Sequence, residues 1–227
     1  MAEYTKIVEF YGLPGCGKTT ICSLLRKHFE NKGYRVGLLN EVTKICSVYH
    51  LVSVISYKDI ALLFKWCYSI MNDSHTSFKI ARAPYKRQLI YRCIKMYSDY
   101  DYVFIEHGVV QSIVSALYGT KDYTSFLNKM ICNKLLQSSS VDMFIYCHVA
   151  VEEAFKRIRI RNRKSSGRFD QKPDNMLSYV LEQQSGQFDK LTGIIKDVGL
   201  DVECFNGDSR IDICVENTLN ILSRLKE

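Results

Sequence analysis

Proline and glycine are scarce, at 3 and 12 residues in a chain of 227. That composition excludes a collagen-like repeat, a proline-rich linker array and general disorder, and without a fixed repeat period no solenoid is expected. Long hydrophobic runs are missing as well. The apolar segments are interrupted within a few residues, as at Lys65 and Asn72, far short of the ~20 residues that span a bilayer. No transmembrane helix and no membrane partner are expected. The opening MAEYTKIVEFYG carries Glu3 and only a short apolar run, not the basic start and apolar core of a secretory leader. A cytoplasmic location is expected. The 9 cysteines show no CxxC or other metal-ligand spacing, and they read as small buried hydrophobes in a reducing compartment.

What is present is enough for a full hydrophobic core: 47% of the residues are apolar and 24% charged, which suits one domain over 1–227. The net charge of +7 is concentrated in KRIRIRNRKSSGR at 156–168. Such a segment suits polyphosphate or nucleic acid. With no second basic stripe interleaved with aromatics, nucleic acid is not expected as a partner. Short apolar runs at 7–11, 36–39, 102–105, 143–149 and 202–205 read as strands. Between them lie helical spacings such as Ile60, Leu63, Phe64, Cys67, Ile70 and Met71, or Ile211, Val215, Leu219, Leu222 and Leu225. Strands separated by helix-length segments predict an α/β fold, a five-stranded parallel sheet with helices on both faces. Two excursions exceed a minimal crossover, a helical one at 42–100 and an Arg-rich one at 159–170. Both are placed to close over a ligand at the carboxyl ends of the strands.

Residues 12–19 read GLPGCGKT, the full GxxxxGK[ST] spacing of a phosphate-binding loop. Glycines let backbone N–H groups converge on phosphate oxygens, Lys18 adds a point charge, and the Thr19 hydroxyl suits Mg²⁺. Gly12, Gly15, Cys16, Gly17, Lys18, Thr19 and Thr20 are therefore the expected phosphate-donor contacts. Cys16 reads either as a small residue tolerated in a tight loop or as a redox switch. A GTPase switch would also carry NKxD and DxxG. Asn128-Lys129 and Asn133-Lys134 lack the Asp, and no DxxG follows the third strand.

With these motifs in place, most of the chain resembles the thymidylate kinase-like branch of the P-loop nucleoside monophosphate kinases. VDMFIYCHVAVEEAFKRIRIR at 141–161 is similar to the family's fourth strand and the helix after it, ending in spaced arginines. Arg168-Phe169-Asp170 resembles its lid exit. Ser112, Ala116, Tyr118 and Gly119 approximate the segment after its third strand, and NGDSR at 206–210 falls where its backbone packs around adenine. The resemblance implies a P-loop kinase using ATP and Mg²⁺, with a small-molecule phosphoryl acceptor, and leaves a homodimer open. It places Arg157, Gly207 and Asp208 on the donor nucleotide. It places Lys18 and Glu106 at the transferring phosphoryl group, and Thr19 and Glu106 near the metal; Arg161, Arg163 and Arg168 are expected to add charge there, because Ser165, Ser166 and Gly167 let their segment close. It places Glu41, Arg82, Arg87, Gln88, His107 and Ser112 toward the acceptor; Trp66, in the helical excursion that should face the acceptor, reads first as a core aromatic at helical spacing and second as a stacking surface for a base.

Two departures bear on the acceptor. The family's Asp-Arg pair is here Glu106-His107, and imidazole does not replace a permanently charged fork. Its Arg-Glu-Pro after the second strand is Asn40-Glu41-Val42, and related deoxynucleoside kinases use a Glu there as base toward a sugar hydroxyl. Three readings follow: transfer to a nucleoside monophosphate, dTMP first; transfer to a hydroxyl of a nucleoside or other small metabolite; or nucleotide binding for regulation, without transfer.

Overall fold

The computed structural model describes residues 4–44, 46–73, 78–117, 126–161, 169 and 171–226. Ile7, Val8, Phe10 and Tyr11 of β1 (Lys6–Tyr11) are all inaccessible to solvent, as a strand covered on both faces must be. The chain continues through α1 (Lys18–Asn31), β2 (Val36–Leu38), α2 (Leu39–Val42), α3 (Val48–Ser53), α4 (Tyr57–Asp73), α5 (Phe78–Ala81) and α6 (Ala83–Tyr97). It then forms β3 (Tyr102–Ile105), α7 (Val109–Leu117), α8 (Phe126–Gln137) and β4 (Met143–His148), followed by α9 (Val151–Ile160), α10 (Asp174–Asp197), β5 (Val202–Asn206) and α11 (Ile211–Ser223).

The strands form one sheet in the order β2-β3-β1-β4-β5, and every pairing is parallel. The expected α/β class and five-stranded parallel sheet are what the chain adopts. β1 pairs with β3 on one side, Glu9 facing Ile105, and with β4 on the other, Val8 facing Met143. Successive strands are therefore laid down on both sides of β1, and its carboxyl end is the switch point where an open α/β sheet leaves a crevice. Rings join neighbouring strands there: Phe10 meets Phe104 of β3 edge-on at 5.9 Å, and Tyr11 stacks on Tyr146 of β4 at 5.1 Å. Tyr11 also hydrogen-bonds Thr192 of α10 at 2.7 Å, fixing that helix to β1.

Strand ends shift slightly from the sequence expectation. β2 stops at Leu38 because the Glu41 carboxylate accepts the Leu38 N–H at 3.3 Å and turns the chain into α2. Among the described residues no helix is long and apolar enough to cross a membrane. All the cysteines are free thiols; Cys204 is exposed and Cys46 half-buried, which corrects the expectation of uniform burial, and the rest are buried.

Candidate active site

The loop between β1 and α1 is shaped by what cannot fit in it. Gly12 has φ +140°, and a Cβ there would lie 2.4 Å from the Cys147 carbonyl oxygen of β4, so a side chain is barred both by conformation and by space. Lys18, the first residue of α1, is only 6% exposed. Its Nζ donates to the carbonyls of Gly12 at 2.9 Å and Leu13 at 3.0 Å, and to Cys16 Sγ at 3.3 Å. The ammonium thus sits inside the loop at the positive end of the helix, where phosphate oxygens are favoured. Burial alone would push the Cys16 thiol up, but a hydrogen bond from Cys147 and the charge of Lys18 outweigh it and hold Cys16 below the usual thiol range. Thr20 is exposed beside the loop.

Thr19 Oγ1 donates to the Glu106 carboxylate, which leaves the end of β3. A hydroxyl and a carboxylate side by side are hard oxygen donors of the kind Mg²⁺ prefers. His107 follows and is exposed at its surface. Desolvation of its inner part, then the charge of Lys18, hold its imidazole below the usual range; Glu106 opposes this and the charge of Arg87 adds to it. A histidine so placed is neutral at pH 7. The same interactions put Arg87 of α6 within electrostatic reach of His107. Ser112 is half-buried in α7 and donates to the Gly108 carbonyl at 2.7 Å.

Glu41, on α2 at the carboxyl end of β2, pairs with Arg26 at 2.6 Å. Arg26 in turn pairs with Glu30 at 2.7 Å. The hydrogen bond from Arg26 holds the Glu41 carboxyl below the usual carboxylate range. Thr19, Ser23, Arg26 and Glu30 recur at helical spacing, so one stripe of α1 touches Glu106 at its start and Glu41 two turns on.

The donor side lies between the loop and the end of β5. A cavity of about 310 Å³ is lined by Cys16, Gly17, Arg157, Gly207 and Asp208, among others. Arg157 donates to the Gly207 carbonyl at 2.8 Å and pairs with Glu153. Asp208 accepts the Ala150 N–H at 3.2 Å, just before α9. Arg161 is exposed at the end of α9, and Arg163 and Arg168 lie outside the described residues.

Two residues considered for the acceptor, Trp66 and Gln88, are committed to packing. Trp66 is fully buried with its indole N–H on the Ala81 carbonyl at 2.5 Å, so it has no open face on which a base could stack. Gln88 is fully buried and donates to the Leu135 carbonyl and to Ser138 Oγ at 2.7 Å, tying α6 to the end of α8. One residue along a helix is a rotation of about 100°, so Gln88 turns into the core while the charge of its neighbour Arg87 is felt at His107. Arg82 is exposed and lies over the Phe78 ring at 5.8 Å.

One carboxylate escaped the sequence reading. Glu9, in the middle of β1, is fully buried and accepts the N–H groups of Val109 at 3.0 Å and Val110 at 2.8 Å and the Tyr91 hydroxyl at 3.0 Å. The available signal was an acidic residue inside the run IVEFY. Burial raises its carboxyl from 4.5 to about 7, although its hydrogen bonds and Arg87 pull the other way. The native state therefore holds this proton more tightly than the unfolded chain does. Stability from this group is full below about 4.5 and is lost as pH rises to about 7, by about 3 kcal/mol. Urea denaturation at intervals from pH 5 to 8 should show that decline in the wild type and a flatter profile in Glu9→Gln. Identical slopes would contradict it.

No protein-family model matches the chain, and no curated protein does. Solved structures do. A deoxyadenosine kinase from M. mycoides with bound dCTP matches with a TM-score of 0.52 at 13% identity, covering 96% of this chain and 99% of that one. The enzyme from M. mycoides with bound dATP matches with a TM-score of 0.53 at 15% identity, with the same coverage. The chain has the P-loop kinase fold. At these identities the likeness is one of fold, spread over nearly the whole of both chains.

Proposed function

We propose that the protein transfers the γ-phosphoryl group of ATP to a hydroxyl of a nucleoside-class acceptor. The observation that supports the acceptor class is the charge at the ends of the two neighbouring strands. Glu41 follows β2, Glu106 follows β3, and the next residue is a neutral histidine rather than an arginine. A phosphomonoester carries about two negative charges at pH 7 and would meet carboxylates there, whereas a hydroxyl needs one as a base. The match over 96% of the chain to deoxyadenosine kinases is consistent with this acceptor.

In this reading the adenine and ribose of ATP occupy the cavity beside Arg157, Gly207 and Asp208, and the loop N–H groups with Lys18 hold the phosphates. Thr19 and Glu106 would hold Mg²⁺, which supplies charge neutralisation between the phosphates when bound. Arg161, with Arg163 and Arg168, adds positive charge around the transferring phosphoryl group. Glu41 accepts the proton of the attacking hydroxyl, and Ser112 and His107 face the acceptor. The protein works in the cytoplasm. Labelled ATP offered with a panel of nucleosides, nucleoside monophosphates and sugars tests this: transfer to a nucleoside supports it, and transfer only to monophosphates overturns it.

The field of Arg87 at His107 favours a second reading, the thymidylate kinase-like one, in which Arg87 clamps the phosphate of a monophosphate such as dTMP. Arg87→Ala would then raise the acceptor KM by about thirtyfold, as expected from losing one charge-assisted pair of roughly 2 kcal/mol, and leave the KM for ATP unchanged. Steady-state kinetics with each substrate varied separately decides, and an unaltered acceptor KM removes Arg87 from the site.

A further inference from the structure

We infer that Glu9 is a positioning residue for the acceptor side: from inside β1 its carboxylate grips the start of α7 and so fixes where Glu106 and His107 stand beside the phosphate loop. The role rests on the proposed transfer reaction, but the grip itself does not.

A fully buried carboxylate in a strand that otherwise reads as an apolar run needs a reason, because desolvating it is costly. No lysine or arginine bonds to it among the described hydrogen bonds. Arg87 acts on it only through its field, and Tyr11 and Tyr91 are the other titratable groups coupled to it. What meets the carboxylate instead is the end of a helix. Val109 and Val110 are the first two residues of α7, whose N–H groups have no partner within the helix. Glu9 Oε2 accepts the first and Oε1 the second, and Tyr91 of α6 donates to Oε2 from the side. When the carboxyl is ionised, its negative charge also lies at the positive end of the helix dipole.

The space is committed to this contact. A Cβ on Gly108 would lie 2.1 Å from the Glu9 carboxyl carbon and 2.3 Å from the Tyr91 hydroxyl, so only glycine lets α7 begin so close to β1.

The consequence for the site comes from chain connectivity. Ile105 faces Glu9 across the β1–β3 pairing, and Val109 and Val110 are held by the Glu9 side chain. The residues between them, Glu106, His107 and Gly108, are therefore anchored at both ends on one residue. Three residues after Glu9 the same strand enters the phosphate loop at Gly12. The turn and the loop thus share a reference point, which matters because a displacement of about 1 Å at reacting groups can cost about a hundredfold in rate.

Amide exchange and kinetics on Glu9→Gln and Tyr91→Phe test this. A glutamine keeps the shape but turns an NH₂ toward one of the helix N–H groups. Both variants should exchange the Val109 and Val110 amides faster, with those of β4 unchanged. Glu9→Gln should lose roughly tenfold or more in kcat, Tyr91→Phe less, while the Kd for a non-hydrolysable ATP analogue stays within about twofold. Unchanged exchange at Val109 and Val110 overturns the grip. Faster exchange with kcat and acceptor KM intact overturns the positioning role. A wild type that transfers to no acceptor overturns the proposed function and the positioning role with it, while the exchange data still decide the grip. If Glu9→Gln does not fold, Tyr91→Phe, which keeps the carboxylate and removes one donor, carries the same outcomes.

Discussion

Lys18→Ala should lower phosphoryl transfer by about a hundredfold or more, the usual scale for removing a group that stabilises developing charge. The transferring group spreads its negative charge over three oxygens, and a fixed ammonium gains most in the transition state. The fold around the loop supplies the rest of the argument. Lys18 is 6% exposed and bonds two loop carbonyls and Cys16, so its position is set by the loop before any phosphate arrives. The same bonds carry a cost that the motif alone did not suggest. A side chain pointing only at phosphate would leave stability untouched when removed, whereas this one stitches Gly12 and Leu13 together, and hydrogen bonds from charged groups contribute about 1.5–3 kcal/mol. Lys18→Ala should therefore lose both turnover and roughly 2 kcal/mol of stability. Single-turnover transfer assays with parallel denaturation curves measure the two effects. Near-normal turnover would remove Lys18 from the chemistry, and an unchanged midpoint would show that its loop contacts contribute nothing.

The fold was legible because its signals are local. Each strand is a short apolar run between helix-length segments, and the observed 102–105 strand matches its expected bounds while the others differ by a residue or so at an end. The loop was legible for the same reason: GLPGCGKT carries its geometry in consecutive residues. What the sequence hid depends on which face of a helix turns where. Arg87 and Gln88 are neighbours in the chain, yet one reaches His107 electrostatically and the other ties α6 to the end of α8. Trp66 lies on a helix whose other rings, Tyr57, Phe64 and Tyr68, are exposed, and it alone of the four is buried. Glu9 is the extreme case. Its partners come from residues 91, 109 and 110, about 80 to 100 positions away, and nothing near it in the chain announces them.

Glu41→Gln should cut kcat on the true acceptor by about a hundredfold to ten-thousandfold if that acceptor is a hydroxyl, the range expected of a positioned general base. A hydroxyl attacks phosphorus only as its proton departs, and the group that takes the proton must be ionised beforehand. Arg26 ensures this by holding the Glu41 carboxyl below the usual carboxylate range. The same pair makes the substitution interpretable. Arg26 keeps Glu30 as a partner at 2.7 Å, so removing the Glu41 charge does not strand an unpaired guanidinium. The loss should then appear in kcat rather than in folding. The pH profile gives a second check with a definite sign. In the wild type the acid limb of kcat/KM should fall below the ordinary carboxylate value of 4.5. Arg26→Ala, which removes the hydrogen bond that depresses the carboxyl, should move that limb to higher pH. A monophosphate acceptor is already anionic and needs no base, so Glu41→Gln would then act like the wild type and the limb would not respond to Arg26. Equal turnover of wild type and Glu41→Gln on whichever acceptor the panel identifies would exclude Glu41 as base and return the site to the phosphate-acceptor reading centred on Arg87.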